Sequence, residues 1–363
     1  MPMLTGALLL TRRPRMFCYR RSWVQRLRET RGSRTMARVH LASPLRHTAL
    51  ILALSILLAA PQWCLATAGE YPSRIVSLVV AFPAGGGVDT VGRAIAQKLG
   101  DALGQQVIVV NRPGAGSVIG TRDVARAQPD GYTLLLLVTG AALPADPGYD
   151  LEKDFAPIGL IASVPIVIMS NPSLPAKSLA EVIALARKDG EKLTVGTPPA
   201  PTLNYFGAEL FKAMTGTRIT IVTYKGTGPL TNDLVGGHVM LAFNTLPPAI
   251  GNIQSGTLRA IAVGSPSRMA AIPDVPTIAE SGLPGLEIVQ YYGLVAPAGT
   301  PQPIIERLNR ELRRIVSSQE MKQRLLDAGG DPIVSTPAEY RQNIHREESK
   351  WQAVIKKLGL VNY

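Results

Sequence analysis

Strand-type and helix-type patterns alternate along most of this chain, and that alternation restricts the possible folds more than any other feature. The apolar run IVSLVVAF, residues 75–82, is typical of a strand buried on both faces. The next segment repeats apolar residues at helical spacing and ends at Gly104. The runs QQVIVVN and YTLLLLV repeat the unit, with a further helix between them. Such repeats predict an α/β fold with a parallel sheet covered by helices.

A second series of alternating patterns begins near Ser178, and the C-terminal section is almost wholly helical. One apolar stripe along that section consists of Ile304, Ile305, Leu308, Leu312 and Ile315. About 295 residues follow Ala68, which is more than a single core comfortably accommodates. We therefore expect two α/β domains.

Positive charge is concentrated in the first 68 residues. They carry eleven arginines, no lysine and one acid, Glu29, so they account for +10 of the formal net charge of +12. The rest of the chain carries only +2. Nucleic-acid binding depends on a basic face of the folded domain. The charge distribution therefore gives no support to a nucleic-acid partner.

The same leader has the features of a secretion signal. Arg38 and Arg46 precede the apolar run TALILALSILLAA, residues 48–60, and Ala66, Thr67 and Ala68 supply small residues for cleavage. The apolar run is about 13 residues long, whereas a bilayer span needs roughly 20. We expect cleavage near Ala68 and a soluble, periplasmic mature protein.

The translation start favoured by this pattern is Met36, because residues 1–35 add arginines without any folding pattern. Residues 1–35 are then interpreted as a gene-start artefact that is not translated. A twin-arginine signal at Arg20–Arg21 is the less favoured alternative, because the apolar run lies too far downstream.

The placement of cysteine and histidine argues against catalysis. Cys18 and Cys64 both precede the expected cut, and the residues before Cys64 lack the small side chains of a lipoprotein site. The remaining chain can form neither a disulfide nor a thiol nucleophile. Its two histidines, His238 and His345, have no metal-ligand spacing, and no GxSxG elbow is present. We expect a protein that is not an enzyme and that holds no metal.

A glycine-rich turn lies between the first predicted strand and its helix, in the stretch VVAFPAGGGVDTVGR. Main-chain N–H groups at the start of a helix are unpaired and lie at the positive end of the helix dipole, which suits an anion. Gly85, Gly86 and Gly87 let a ligand approach the main chain without Cβ atoms in the way. Asp89 is interpreted as the helix N-cap in preference to a ligand contact.

A nucleotide cofactor is disfavoured as the anion. A P-loop needs Lys and Ser or Thr after its last glycine, whereas Val88 and Asp89 follow here. In NRPGAGSVIG the three glycines Gly114, Gly116 and Gly120 give GxGxxxG, one residue longer than the dinucleotide fingerprint. We therefore expect no cofactor.

Seven motifs in series, together with the exported leader, resemble the Bug family, the periplasmic solute-binding receptors of tripartite tricarboxylate transporters. The likeness extends from about Tyr71 to the C-terminus, in family order. The motifs are FPAGGGVDTVGR, VNRPGAGSVIGT, PDGYTLLL, YDLEKDFAPIGLI, VTYKGTGP, IPDVPTIAESGLPG and YYGLVAPAGTP.

The resemblance implies a two-lobed clamshell of the periplasmic binding protein type II, or Venus flytrap, fold, with mixed or parallel sheets flanked by helices and two lobe crossings. Residues 1–68 are then leader, 69–166 plus 292–363 form lobe 1, and 167–291 form lobe 2. Such a receptor captures a small organic carboxylate in the interlobe cleft and delivers it to the transporter's membrane subunits. A monomer is the default oligomeric state.

In the family, main-chain N–H groups and bridging waters hold the ligand, and the loop after the first strand corresponds to Phe82–Asp89 here. The ligand-binding residues that the resemblance implies lie in that loop, at the ends of later strands and at the second lobe crossing. They are Phe82, Ala84, Gly85, Gly86, Gly87, Asp89, Thr139, Thr197, Thr202, Asn244 and Tyr291.

The second loop departs from the family pattern of a Gly/Ser/Thr-rich run followed by His. Pro198, Pro199 and Pro201 occur here, with Tyr205 at the His position. Prolines have no N–H to donate, so fewer main-chain donors and more apolar wall are expected, with hydroxyls from Thr197 and Thr202.

Two further features bear on the ligand. Asn244 replaces a frequent family Asp and leaves a neutral donor and acceptor. Tyr291 and Tyr292 are open to two interpretations, hinge packing and ligand stacking. We expect a monocarboxylate or dicarboxylate with an apolar or aromatic body, and not citrate. The alternative functions are a receptor that presents its ligand to a sensor kinase and, third, an exported enzyme on the same fold.

Overall fold

The computed structural model describes residues 71–140 and 146–360. The expected leader, its cleavage site and both cysteines lie outside the described residues. The strands within those ranges are β1 Val76–Val80, β2 Val107–Asn111, β3 Thr133–Thr139, β4 Phe155–Ser170, β5 Thr194–Thr197, β6 Thr220–Thr223, β7 Leu241–Thr245, β8 Arg259–Val263, β9 Val289–Pro297 and β10 Asp331–Pro332.

The α-helices are α1 Gly87–Leu103, α2 Val118–Ala125, α3 Leu179–Asp189, α4 Leu203–Thr215, α5 Thr227–Val235, α6 Ile250–Gln254, α7 Gln302–Ser317, α8 Gln319–Asp327 and α9 Pro337–Lys357. Among the residues that the structure describes, every helix is too short or too polar to cross a bilayer.

The strands pair in the order β2-β1-β3-β9-β4-β7-β5-β6, with β8 and β10 also paired to β4. β1 is parallel to β2 and β3, and β5 is parallel to β6 and β7. β9 and β4 run antiparallel to their neighbours, so the sheet is mixed. The expected α/β fold is confirmed, and the first predicted strand is β1.

The long strand β4 divides this arrangement in two. Its residues 155–165 pair with β9, and from Ile166 onward its partners are β7 and β8. We call β1, β2, β3, β9, β10 and residues 155–165 the first sheet. The second sheet consists of β5, β6, β7, β8 and residues 166–170.

Each sheet carries helices on both faces. One face of the first sheet packs on α1, α7 and α8, where the predicted stripe is buried through Ile305, Leu308, Leu312 and Ile315. Its other face packs on α2 and the first half of α9. The second sheet packs on α3 and α4 on one face and on α5 and α6 on the other. Buried apolar surface on every face is what stabilises these layers.

The last helix, α9, belongs to both cores. Tyr340 and Ile344 pack in the core of the first sheet, and Trp351 packs in the core of the second sheet. A helix of 21 residues is about 32 Å long, more than one sheet needs for its cover. The last turns of α9 therefore depart from the expected grouping of all of residues 292–363 with lobe 1.

Candidate functional site

The carboxyl ends of β1 and β3 in the first sheet face the ends of β5 and β7 in the second sheet. A hydrogen bond of 3.2 Å from the N–H of Leu203 to the carbonyl oxygen of Gly140 joins the two sides. A Cβ atom on Gly87 would lie 3.2 Å from Cβ of Pro247. The start of α1, directly after the expected glycine loop, therefore lies where the two sheets come into contact.

The glycine loop runs from Phe82 to Gly86, and α1 begins at Gly87. Gly85 has φ +83°, a conformation that favours glycine, and Gly86 is the N-cap in extended conformation. The loop residues Ala84, Gly85 and Gly86 are exposed, whereas Phe82 is half-buried against the core.

The interpretation of Asp89 as the N-cap is wrong, because Asp89 is the third residue of α1. Its carboxylate is buried, with 3 % of the residue exposed, and it folds back onto the loop. Oδ2 accepts hydrogen bonds of 2.9 Å from the N–H of Gly85 and from Nε of Arg93. Because the N–H of Gly85 donates to its carboxylate, the side chain of Asp89 fixes the turn that precedes α1.

Asn111 completes this arrangement from the neighbouring strand. Its Nδ2 donates to Oδ1 of Asp89 at 2.9 Å and to the carbonyl oxygen of Phe82 at 3.1 Å. Its Oδ1 accepts from Nη2 of Arg93 at 3.1 Å. The sequence analysis missed Asn111 and Arg93, and the available signal was a polar residue at the end of β2 beside the end of β1.

The pKa of Asp89 reflects two opposing effects. Burial by itself raises the pKa, and the hydrogen bonds from Arg93, Gly85 and Asn111 lower it. The hydrogen bonds prevail, so the pKa lies below its ordinary value and Asp89 is ionised at neutral pH. The positive charge of Arg93 is paired with Asp89. The groups of the loop that remain free to donate to a ligand are therefore main-chain N–H groups.

The first turn of α1 contains main-chain N–H groups that are available to donate hydrogen bonds. None of the residues in 71–140 and 146–360 accepts a hydrogen bond from the main-chain N–H groups of Gly87, Val88 or Asp89. Unpaired N–H groups at the start of a 17-residue helix attract an anion through both their dipoles and their hydrogen atoms. This turn can therefore bind a carboxylate.

On the second sheet's side, the residues that follow β7 lie against the first turn of α1. Pro247 lies against Gly87, and Leu246 is buried against Gly329, where a Cβ atom would be 3.0 Å from Cβ of Leu246. Pro247 and Pro248 are half-buried and have no N–H to donate. The second sheet's side is therefore apolar where it meets the first turn of α1.

Two threonine hydroxyls at strand ends are buried. Thr139 at the end of β3 is 2 % exposed and Thr197 at the end of β5 is 0 % exposed. The hydroxyl of Thr139 faces the hydroxyl of Tyr340 on α9. Oγ1 of Thr197 has no hydrogen-bond partner among the described residues, so it has capacity for a ligand or a water molecule.

The structure places Thr202 and Asn244 differently. Thr202 is the N-cap of α4: its Oγ1 accepts from the N–H of Tyr205 at 3.5 Å and donates to the carbonyl oxygen of Pro199 at 2.8 Å. Asn244 donates from Nδ2 to Oγ1 of Thr231 at 3.0 Å, inside the second sheet's core. The hydrogen-bonding capacity of both side chains is largely used within the second sheet and its helices.

Tyr291 and Tyr292 lie on opposite faces of β9. Tyr292 is 3 % exposed in the first sheet's core, which agrees with packing. The ring of Tyr291 lies 6.0 Å from the guanidinium carbon of Arg346 on α9, and burial raises the pKa of its hydroxyl. Tyr291 therefore packs between β9 and α9, beside Thr139 on the paired strand.

A metal centre has no basis in the described part of the chain. No group of three or more His, Cys, Asp or Glu side chains there could hold a metal ion.

Comparisons with known proteins place this geometry in context. The family model described as the tripartite tricarboxylate transporter family receptor matches residues 91–360. Protein BugT of Bordetella pertussis is 36% identical and the match covers 81% of this chain and 92% of BugT.

Two solved structures are similar over their whole length. Rpa4515 of R. palustris with adipate has a TM-score of 0.74 and 34% identity, covering 80% of this chain and 99% of that chain. The periplasmic binding protein BugD has a TM-score of 0.72 and 33% identity, covering 81% of this chain and 100% of that chain.

Proposed function

This chain belongs to the tripartite tricarboxylate transporter receptor family, and from that membership we propose that it is a periplasmic receptor for a small organic carboxylate. The ligand is captured in the cleft between the two sheets and delivered to the membrane subunits of a tripartite transporter. The receptor acts as a monomer, without catalysis or a cofactor, after cleavage near Ala68.

The observation that carries this proposal is the first turn of α1. Three main-chain N–H groups there have no acceptor among the described residues, and the preceding turn is fixed by Asp89 and Asn111. A carboxylate bound by N–H groups is held without a full opposing charge, because Arg93 is paired with Asp89. Such a site favours release to a transporter over permanent binding.

We propose that the two sheets are the cores of two lobes. β4 changes its partners between Pro165 and Ile166, and β9 begins at Val289, which supports lobe crossings near residues 166 and 291. Lobe 1 comprises residues 69–166 and most of 292–363, and lobe 2 comprises 167–291 with the last turns of α9. Closure of the lobes around the ligand brings Pro247 against Gly87.

A thermal-shift screen of the chain from Gly69 onward tests the carboxylate site. A ligand that binds only the native state raises the melting temperature as its concentration exceeds the dissociation constant. We expect stabilisation by a group of carboxylates, and none by nucleotides, sugars or amino acids. Stabilisation by nucleotides or sugars alone would contradict the proposal.

Uptake measurements test delivery to a transporter. Deleting the gene should slow uptake of the stabilising carboxylate. Unchanged uptake with lost gene induction would instead identify a receptor for a sensor kinase.

A further inference from the structure

The helix α9 packs on the rest of the protein through two neighbouring faces. One face is buried: Tyr340 lies in the core of the first sheet, and Trp351 lies in the core of the second sheet. The adjacent face carries Arg341, His345 and Glu348, which follow one another at helical spacing. Arg341 and His345 of this second face contact the turn that leads into β4.

That turn, residues 149–154, is called the acidic turn below. The N–H groups of Glu152 and Lys153 donate to Oδ1 of Asp150 at 3.0 and 3.1 Å. Leu151 is buried, and it packs in the core of the first sheet. The acidic turn is therefore folded by its own hydrogen bonds and is fixed to the first sheet.

Two side chains of α9 hold the acidic turn through Glu152. Nδ1 of His345 lies 2.9 Å from Oε1 of Glu152. Nη1 of Arg341 donates to the carbonyl oxygen of Glu152 at 3.3 Å. The contact with His345 is an ion pair only when the imidazole is protonated. This attachment is therefore stronger in acid than in base.

Glu348 brings a further carboxylate to the same contact. It lies three residues after His345 on α9 and is half-buried. Burial, together with the neighbouring carboxylates of Glu152 and Asp150, raises its pKa to about 7. The phenol of Tyr149 faces it from the start of the acidic turn. Glu348 therefore changes its charge close to neutral pH.

Basic side chains lie on every element around Glu348, but within residues 71–140 and 146–360 none forms an ion pair with it. In the acidic turn, Lys153 pairs with Asp150. On α2, Arg122 lies against Gly148, where a Cβ atom would be 3.4 Å from Cδ of the arginine. On α9 the nearby charged side chains form one ion-paired group of Arg346, Glu347 and Lys350. Glu348 in its ionised form is therefore left facing carboxylates.

We propose that α9 is a pH-responsive strap across the two lobes, held on the acidic turn in acid and loosened as the pH rises through neutrality. The proposal rests on the proposed function and adds regulation of the same cleft. Raising the pH ionises Glu348 opposite Asp150 and Glu152 and removes the positive charge of His345, so attraction gives way to repulsion. Because α9 also packs in the second sheet's core, loosening it lets the two sheets separate more easily and weakens capture of a ligand between them.

Hydrogen exchange of the free protein, from Gly69 onward, tests the attachment. After correction for the intrinsic pH dependence of exchange, protection of the N–H groups in the acidic turn should fall about tenfold between pH 6 and pH 8. In Glu348→Gln the fall should be at most about threefold, because the amide stays neutral. Glu339→Gln, at an exposed position in the first turn of α9, is the matched control and should behave as wild type. Equal wild-type protection at both pH values, or an equal fall in Glu348→Gln, overturns the proposal.

Small-angle X-ray scattering of the same proteins tests the consequence for the two sheets. The wild-type radius of gyration should be larger at pH 8 than at pH 6, and Glu348→Gln should keep the smaller value at both. A wild-type radius that does not change with pH contradicts the role of α9 as a strap. Neither measurement uses a ligand, so both are independent of the proposed function, which fails on its own if no carboxylate stabilises the protein.

Discussion

Nδ2 of Asn111 donates a 2.9 Å hydrogen bond to Oδ1 of Asp89, a residue 22 positions earlier in the chain. Because Asn111 also donates to the carbonyl oxygen of Phe82, it holds both the start of the glycine loop and the residue that fixes its end. The shape of the glycine loop thus depends on a side chain from the neighbouring strand β2.

Replacing Asn111 with Ala should weaken carboxylate binding about tenfold and lower the free energy of unfolding by roughly 1–3 kcal/mol, because it removes hydrogen bonds to a charged group. Titration calorimetry and denaturant unfolding measure the two effects. Asn232→Ala, at an exposed position on α5, is the control and should change neither. Full affinity in a folded Asn111→Ala protein would show that the loop holds its shape unaided.

The depressed pKa of Asp89 predicts an acid-dependent loss of stability. Because the folded protein holds the proton of Asp89 less tightly than the unfolded chain, the stabilising contribution is present above about pH 4 and is lost as the pH falls through the folded pKa. Asp89→Asn removes this contribution. The difference in unfolding free energy between wild type and variant should be largest at pH 6–7 and shrink below about pH 4. A difference that stays constant down to pH 3 would contradict the ionised, hydrogen-bonded state of Asp89.

Two substitutions at Gly87 separate shape from hydrogen bonding. Gly87→Ala adds a Cβ atom 3.2 Å from Pro247, and it should weaken ligand binding several-fold through incomplete closure while leaving the unliganded protein at least as stable. Gly87→Pro adds the same Cβ atom with two further ring carbons and also removes one N–H, in a position where the preceding Gly86 is extended and proline is tolerated.

The comparison of these two variants isolates the donor. Gly87→Pro should bind the carboxylate about tenfold more weakly than Gly87→Ala, as the loss of a hydrogen bond to a charged group predicts. Titrations of both variants with the same acid make the measurement. Equal affinities would mean that the N–H of Gly87 does not contact the ligand.

The raised pKa of Glu348 on α9 predicts that stability falls as the pH rises, which is opposite in sign to the effect of Asp89. Burial raises the pKa of Glu348 to about 7, and the neighbouring Glu152 and Asp150 add to the effect. The folded protein therefore holds this proton more tightly than the unfolded chain, and stability falls as the pH rises from about 4.5 to 7.

Glu348→Gln should stabilise the protein at pH 8 by roughly 1–3 kcal/mol and have no effect below pH 4.5. Denaturant unfolding at both pH values tests this. Glu339→Gln is the control: Glu339 has a pKa below its ordinary value in the capping box of α9, so its replacement should give no gain at pH 8. A Glu348→Gln protein no more stable than wild type at pH 8 would contradict the burial of an ionisable Glu348.

Local patterns predicted the elements around the cleft because they are encoded in short stretches. β1 and α1 follow from an apolar run, a glycine turn and helical periodicity, and the glycine loop was located for the same reason. The family resemblance, confirmed by the comparisons, supplied the fold class.

The error at Asp89 and the omission of Asn111 have a common cause. Strand pairing between β1 and β2 brings Asn111 beside the loop, and no local pattern around residue 111 encodes that contact. The role of Thr202 is different, because a Thr directly before a helix is a local N-cap signal that was interpreted as a ligand contact instead. The packing of α9 in two cores depends on the length of the helix relative to the width of one sheet. The helical periodicity of the sequence does not predict that relationship.

The position of α9 has a mechanical consequence. Tyr340 packs on Gly293 at one end of the helix, and Trp351 is embedded in the other core. If the two sheets rotate apart at β4 and β9, the contact of Tyr340 or that of Trp351 must shift. The helix α9 therefore limits the angle to which the two sheets can separate. Trp351 is the only tryptophan beyond Ala68. Trp351 is buried in the second sheet's core, so a change in its emission would report movement of α9 relative to that core.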